Sequence, residues 1–211
     1  MTPSLMDSLP LNVTPQILLS HLTEQPLSEE DSTLNLIFVA ASVTLMSGVM
    51  MMDGVIDPEE MVHLHQLMGV CADTDTACHR LLPRLILGIK RHQIYLNPRL
   101  FLVLAEALDL PQRLLLLGLG YRMAAADGHL NERENLYLRA IAQRLCIDPQ
   151  HVAILEANSL KFTLLETEAL WEVNHYLDPS NFQLHESLLR LIARTIHSNL
   201  PAIAIPTAIN A

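Results

Sequence analysis

Apolar residues recur at spacings of three and four through most of this chain, and no alternation of period two persists, which predicts helices throughout. Thr14-Pro15 supplies an N-cap and a first-turn proline for a short helix that ends before Pro26. Ser28-Glu29-Glu30-Asp31 places carboxylates at the next N-terminus, where the helix dipole favours them, and that helix runs to about Met52. Asp57-Pro58 begins a third helix reaching about Ala72. Asp73 or Thr74 begins a fourth, in which Pro83 predicts a late start or a kink. Asn97-Pro98 opens a helix with Leu100, Phe101, Leu104 and Leu108 on one stripe. Leu110-Pro111 opens one through Ala126, Asn131 one through about Leu145, and Asp148-Pro149 a further short one. Two amphipathic stretches follow, Leu164–Leu177 and Leu184–His197, joined by Asp178-Pro179-Ser180; the uncharged residues from Ser198 to Ala211 form a tail.

Leu34 to Met52 is 19 residues without a charge, the length of a membrane span. It nevertheless contains Asn35, Ser42, Thr44, Ser47 and Gly48, is flanked by Asp31 and Asp53, and has no positive anchor nearby. A helix at the centre of a bundle, buried nearly all round, explains it better. No transmembrane span is predicted.

Composition supports the same architecture. Half of the 211 residues are apolar but only 4% are aromatic, so Leu, Ala, Met and Ile do the packing. The predicted fold class is all-α: a compact helical bundle of two pseudo-repeated helix–turn–helix units with a C-terminal helical extension. Residues 1–27 form an N-terminal segment with a short helix, 28–159 the helical domain, and 160–211 the extension and apolar tail. The three cysteines (Cys71, Cys78, Cys146) and the lack of a signal peptide predict free thiols in a reducing, cytoplasmic setting.

Charge is unevenly placed. Of the net −10, residues 1–79 hold 11 carboxylates and no Lys or Arg; the other 12 carboxylates and all 13 Lys and Arg follow. An acidic half repels phosphate backbones and argues against nucleic acid. It attracts divalent cations or a basic protein surface, although solubility alone also accounts for it.

One motif occurs twice. Asp53-Gly54-Val55-Ile56-Asp57-Pro58-Glu59-Glu60 returns as Asp127-Gly128-His129-Leu130-Asn131-Glu132-Arg133-Glu134, 74 residues later, each copy between an apolar helix and an amphipathic one. Two such units pack as a pseudo-symmetric pair, each covering the apolar face the other cannot. Most positions have architectural roles: Gly54 and Gly128 for a left-handed turn, Asp57 and Asn131 as N-caps, Glu60 and Glu134 completing capping boxes. Asp53 and Asp127 sit at helix C-termini, against the dipole by roughly 0.3–1 kcal/mol. Either turn amides or a shared divalent cation compensates them; the candidate ligands are Asp53, Asp57, Glu60, Asp127 and Glu134. The second half of an EF-hand loop looks similar, but Val49 and Met51, or Met123 and Ala125, stand where its first ligands belong, which rules out a self-sufficient calcium loop.

This duplicated D-G-x-(Ile/Leu)-x-x-x-E turn after Ala/Met-rich helices resembles the TerB-like tellurite-resistance family, over about Ser28 to Ser159. The resemblance implies a compact helical fold, a link to stress and resistance, acidic positions proposed to bind divalent metal, and no settled enzymatic activity. Carried over, those positions are Asp53, Glu60, Asp127 and Glu134; Asn131 replaces the acid that Asp57 supplies, which weakens the second half of any metal site.

Other constellations carry less. Glu60/His63 and Glu172/His175 have the Glu-x-x-His spacing of di-iron bundles, but with 13 Glu and 10 His such pairs arise by chance. His63 and His65 point in different directions on one helix. Trp171 with Leu170, Val173 and Leu177 is expected to pack the C-terminal extension on the core. Three readings follow: a non-catalytic TerB-like binding or scaffold protein whose acidic turns hold a divalent cation; a metal-free helical adaptor for a protein partner; and a metal-dependent, di-iron-like enzyme. Self-association is compatible with each.

Overall fold

A computed structural model describes residues 12–28, 33–52, 76–160, 167–184 and 186. The turn Asp53–Glu60, the helix expected from Asp57 to Ala72, the acids Glu29 to Asp31, His63, His65, Cys71 and nearly all of 184–211 lie outside them. Among the described residues every regular element is helical. In chain order these are α1 (Pro15–Thr23), α2 (Leu34–Met52), α3 (Thr76–His92), α4 (Pro98–Ala105), α5 (Leu110–Ala124), α6 (Glu132–Arg144), α7 (Pro149–Ser159) and α8 (Thr167–Tyr176). Short 3-10 turns occupy Ile94–Leu96 and Pro179–Asn181.

The starts follow cap chemistry. Thr14 Oγ1 accepts from Ile17 N–H at 3.3 Å, Asn97 Oδ1 from Arg99 N–H at 3.1 Å, and Asp148 Oδ1 from Gln150 N–H at 2.7 Å, each just before a proline that needs no partner for its nitrogen. Helix α5 begins at Leu110 as expected, and Asp109 caps it: its Oδ1 accepts from Gln112 N–H at 2.9 Å and Gln112 Oε1 accepts in return from Asp109 N–H at 3.1 Å. The same helix ends at Ala124, short of Ala126, because its last turn tightens; Ala126 and Gly128 donate to carbonyls three residues back, at 3.0 Å each. Pro83 neither delays nor ends α3, which already runs from Thr76. Both Pro83 and His79, whose carbonyl loses its helical donor, are exposed, so the carbonyl that Pro83 cannot serve lies on the solvent side of the helix.

Helix α2 is the axis of the bundle. Every residue from Leu36 to Met50 is buried, and α1, α3, α4, α5 and α6 all pack against it. It is the one helix of membrane-spanning length and apolarity among the described residues, and its surface is taken up by other helices of the protein. Its most extensive packing is with α5, so the two apolar helices that lead into the repeated turns cover one another. One apolar cluster runs from Leu18 in α1 to Leu184, so α1 and α8 join the same core. On α8, Val173 and Leu177 are buried and Leu170 partly so, as expected, but Trp171 is 53% exposed. One residue past Leu170 the helix has turned by about 100°, away from the Ala169–Val173–Leu177 stripe, and Trp171 stacks instead on His175, with ring centroids 5.3 Å apart.

Close helix approach depends on small residues. Gly48 of α2 lies under the Tyr137 hydroxyl of α6, and Gly88 of α3 lies against the Leu22 carbonyl oxygen of α1. A Cβ at Gly88 would meet backbone, which has no rotamer to escape through. At Gly120 an added Cβ would lie 2.7 Å from Leu138 Cδ2 and 2.9 Å from Leu45 Cδ2, both ends of buried side chains that can shift more readily than backbone. Gly88→Ala is therefore expected to destabilise the protein by about 1–3 kcal/mol despite alanine's better helix propensity, and Gly120→Ala by clearly less. Urea midpoints of the two variants decide it; equal midpoints would remove the backbone argument.

Candidate functional site

The second acidic turn joins α5 to α6. Gly128 holds a φ of +87°, the left-handed conformation that favours glycine, with no other atoms near its Cα side. Asp127, exposed at the C-terminal end of α5, accepts from His129 N–H at 2.8 Å through Oδ1. This Asx turn gives the carboxylate a local donor against the unfavourable helix dipole. Asn131 caps α6, its Oδ1 accepting from Arg133 N–H at 2.9 Å. Glu134, which is buried, closes the box by accepting from Asn131 N–H at 3.3 Å. Each of these side chains thus completes the hydrogen bonding of its own turn.

Behind the turn lies a polar network that sequence reasoning missed. Glu156 of α7 accepts from Asn135 Nδ2 at 2.9 Å through Oε1 and from Arg139 at 2.7 Å through Oε2. Asn135 Oδ1 in turn accepts from Arg139 Nε at 3.2 Å and from the Tyr121 hydroxyl at 3.4 Å. Burial, aided by the Glu156 charge, pushes the Tyr121 hydroxyl far above its ordinary range, so it remains a donor. The hydrogen bond and charge of Glu156 likewise raise the Arg139 pKa. Glu156 ties α7 to α6, and Asn135 extends the network to Tyr121 of α5. Only the Asn135–Arg139 spacing of four is visible in sequence; the partners of Glu156 stand 17 and 21 residues away.

The pairing Glu172/His175 does not form. Glu172 instead meets His151 of α7 at 2.7 Å, across the α7–α8 packing, while His175 stacks on Trp171. His151 is almost wholly buried, with Tyr176 edge-on at 5.9 Å. Among the described residues no three His, Cys, Asp or Glu side chains come together in a way that could hold a metal ion. Of the five candidate ligands, Asp53, Asp57 and Glu60 lie outside the described residues. Asp127 and Glu134 belong to one turn but bond to different amides, so the second turn does not by itself make a metal centre. Met123 and Ala125, at the positions where an EF-hand would need oxygens, are buried apolar residues.

A bundle around one apolar helix, with an Asp-Gly turn leading into a boxed amphipathic helix, defines a class of all-helical domain. The family model described as "Tellurite resistance protein TerB" matches residues 39–157, more than half of the sequence. The chain belongs to the TerB family. The curated proteins and the solved structures give no match. The matched span begins inside α2, includes α3 to α6 and ends in the last turn of α7, before α8.

Loss of the cap at Asn131→Ala is expected to cost about 1 kcal/mol, and Asn131→Asp to restore it. Asp127→Asn keeps the Oδ1 acceptor and sheds the charge opposing the dipole, so its midpoint should stay within about 0.5 kcal/mol of the parent. Chemical denaturation of the three variants reads both. A large loss at Asp127→Asn would show that the negative charge, rather than the Asx turn, is what the site requires.

Proposed function

We propose that this TerB-family chain is a non-catalytic binding or scaffold protein acting in the tellurite-resistance and stress setting of its family, with its second acidic turn serving as architecture. The observation that carries the reading is the engagement of Asp127 and Glu134 by the amides of His129 and Asn131. A general acid or base, or a metal ligand, must present its lone pairs to a reacting atom or an ion. Each of these two carboxylates gives one oxygen to a backbone amide of its own turn. Polar groups nearby, from Tyr121 to Glu156, are likewise spent on holding α5, α6 and α7 together.

A divalent cation is the second reading, and the 11 carboxylates without a Lys or Arg in residues 1–79 favour it. It requires the acids Asp53, Asp57 and Glu60 to converge on the exposed Asp127, because the second turn alone offers too few ligands. Thermal melts with calcium, magnesium, manganese and zinc in turn separate the two. The scaffold reading expects Tm to change by no more than the ionic-strength control does. A rise specific to one ion, lost in the Asp53→Asn/Asp127→Asn variant, would establish the cation reading.

A further inference from the structure

The chain as a whole is strongly acidic, yet α3 contains no carboxylate and carries Arg80, Arg84, Lys90 and Arg91, four of the protein's 13 Lys and Arg. Its apolar face, with Cys78, Leu81, Leu85 and Ile89, is buried on α1 and α2. Arg80, Arg84, Leu87 and Arg91 recur at intervals of four, three and four, so they form one outward stripe. In the middle of it Leu87 is 62% exposed. Beside the stripe a cleft of about 260 Å³ opens between α3 and the end of α1, lined by Leu22, Glu24, Arg84, Leu87, Gly88 and Arg91. The absence of a side chain at Gly88 is what lets α1 and α3 approach there.

The protein's own residues indicate what this cleft accepts. Helix α1 ends with Glu24 in the left-handed conformation, φ +54°, and Gln25 N–H closes the end by donating to Ser20 O at 3.1 Å. That bend sets two consecutive side chains on the rim: the Glu24 carboxylate pairs with Arg91, and Gln25 Oε1 accepts from Arg84 at 2.7 Å. One arginine thus takes a carboxylate and the other an amide oxygen, the two acceptor types that an acidic peptide offers. Both members of the Arg91–Glu24 pair are mostly exposed, and such pairs contribute about 0–1 kcal/mol, so an incoming carboxylate can exchange with Glu24. Nearby, burial, then Arg91 and His21, hold the His92 pKa below its ordinary value against the opposing influence of Glu24.

We propose that the α1–α3 cleft binds a short acidic peptide segment of a protein partner, its carboxylates on Arg84 and Arg91 and one aliphatic side chain against Leu87. Extended polyanions fit less well. The net charge of −10 opposes the approach of a duplex or an anionic bilayer, whereas a short segment responds chiefly to the arginines it touches, because charges beyond about 8 Å, the screening length at physiological salt, are largely screened. This deepens the scaffold reading by giving it a partner class. The two are tested separately: melts with metal ions interrogate the acidic turns, whereas peptide titration interrogates only this cleft.

The probe is a fluorescein-labelled acetyl-Glu-Glu-Leu-Glu-Glu amide, titrated with the full chain and followed by anisotropy at low salt. Saturable binding is expected, weakened about tenfold by Arg84→Gln/Arg91→Gln and about threefold by Leu87→Ser. Glu24→Gln removes the internal competitor and should tighten binding about twofold or more, while the distant Glu132→Gln, with the same change in net charge, should leave it unaltered. Circular dichroism melts confirm folding of each variant; if the double variant does not fold, the Glu24→Gln and Glu132→Gln pair still decides. No binding, equal binding by the folded double variant, or equal effects of the two glutamate changes would overturn the proposal. So would capture by phosphatidylserine vesicles or duplex DNA in preference to the peptide.

Discussion

The structure depends on burying α2. Its 19 residues carry no charge, and all 15 from Leu36 to Met50 are out of solvent, so the helix needs neighbours on every side. Each large aliphatic or aromatic side chain hidden this way contributes about 1.5–3 kcal/mol, opposed by the entropy of ordering the chains around it. Polar groups inside must be satisfied without outside help. Ser42 and Thr44 donate to the carbonyls of Phe38 and Ala40, at 2.8 and 2.7 Å, within α2 itself. Where another helix comes nearest the side chain disappears: Gly48 makes room for Tyr137, whose hydroxyl reaches the Tyr95 carbonyl at 3.3 Å and whose pKa burial pushes well above its ordinary value.

Surrounding one helix with several others forces the chain to reverse repeatedly at the bundle surface, and the reversals explain the polar residues. A turn between α5 and α6 needs a left-handed residue, a way to end one helix and a way to begin the next, all within a few positions. Gly128, Asp127, and Asn131 with Glu134 supply these in that order. An acid at the end of a helix, odd from the dipole alone, becomes sensible once its oxygen holds the next turn's amide. Glu156 then fixes α7 to α6 from behind. A carboxylate bonded to both Asn135 and Arg139 and mostly shielded from water is worth more than an exposed ion pair, since each bond restricts the other partners. Motif and network both lie downstream of the packing problem that α2 sets.

How much of this was legible depended on the range of the interaction. Short-range chemistry read well: the caps at Thr14, Asn97, Asn131 and Asp148, the Asx turn at Asp127 as one of two alternatives, and the centrality of α2 from its lack of charge. Helix ends without glycine read poorly. Glu24 and Cys146 adopt left-handed φ values of 54° and 56° and close α1 and α6, and nothing in their residue types announces it, since such conformations ordinarily cost an L-residue roughly 1–2 kcal/mol. Trp171 was misplaced because an aromatic beside an apolar stripe looks like part of it, although one residue's rotation takes it to solvent. Partnerships across helices, Glu156 with Arg139 and Glu172 with His151, were invisible; a sequence gives the angle at which a side chain leaves its helix but not which helix lies opposite.

The same division between local and long-range terms bears on how such a bundle recognises anything. At the second turn Asp127 and Glu134 each give an oxygen to a backbone amide, and Asn135, Arg139 and Glu156 hold α6 to α7, whereas the outward faces of helices held from behind present their side chains to solvent. Helix α3 is such a face: its inner side is locked by Leu81, Leu85 and Ile89, and Gly88 draws α1 tight against it. A helix fixed in this way loses little further freedom when something binds, so weak individual contacts from arginines and one leucine are not consumed by ordering the protein. The basic stripe owes its conspicuousness to the acidity of the rest. In a neutral protein it would be an ordinary solvated face, whereas in a chain of net charge −10 a helix with four Lys and Arg and no carboxylate is a local reversal of sign.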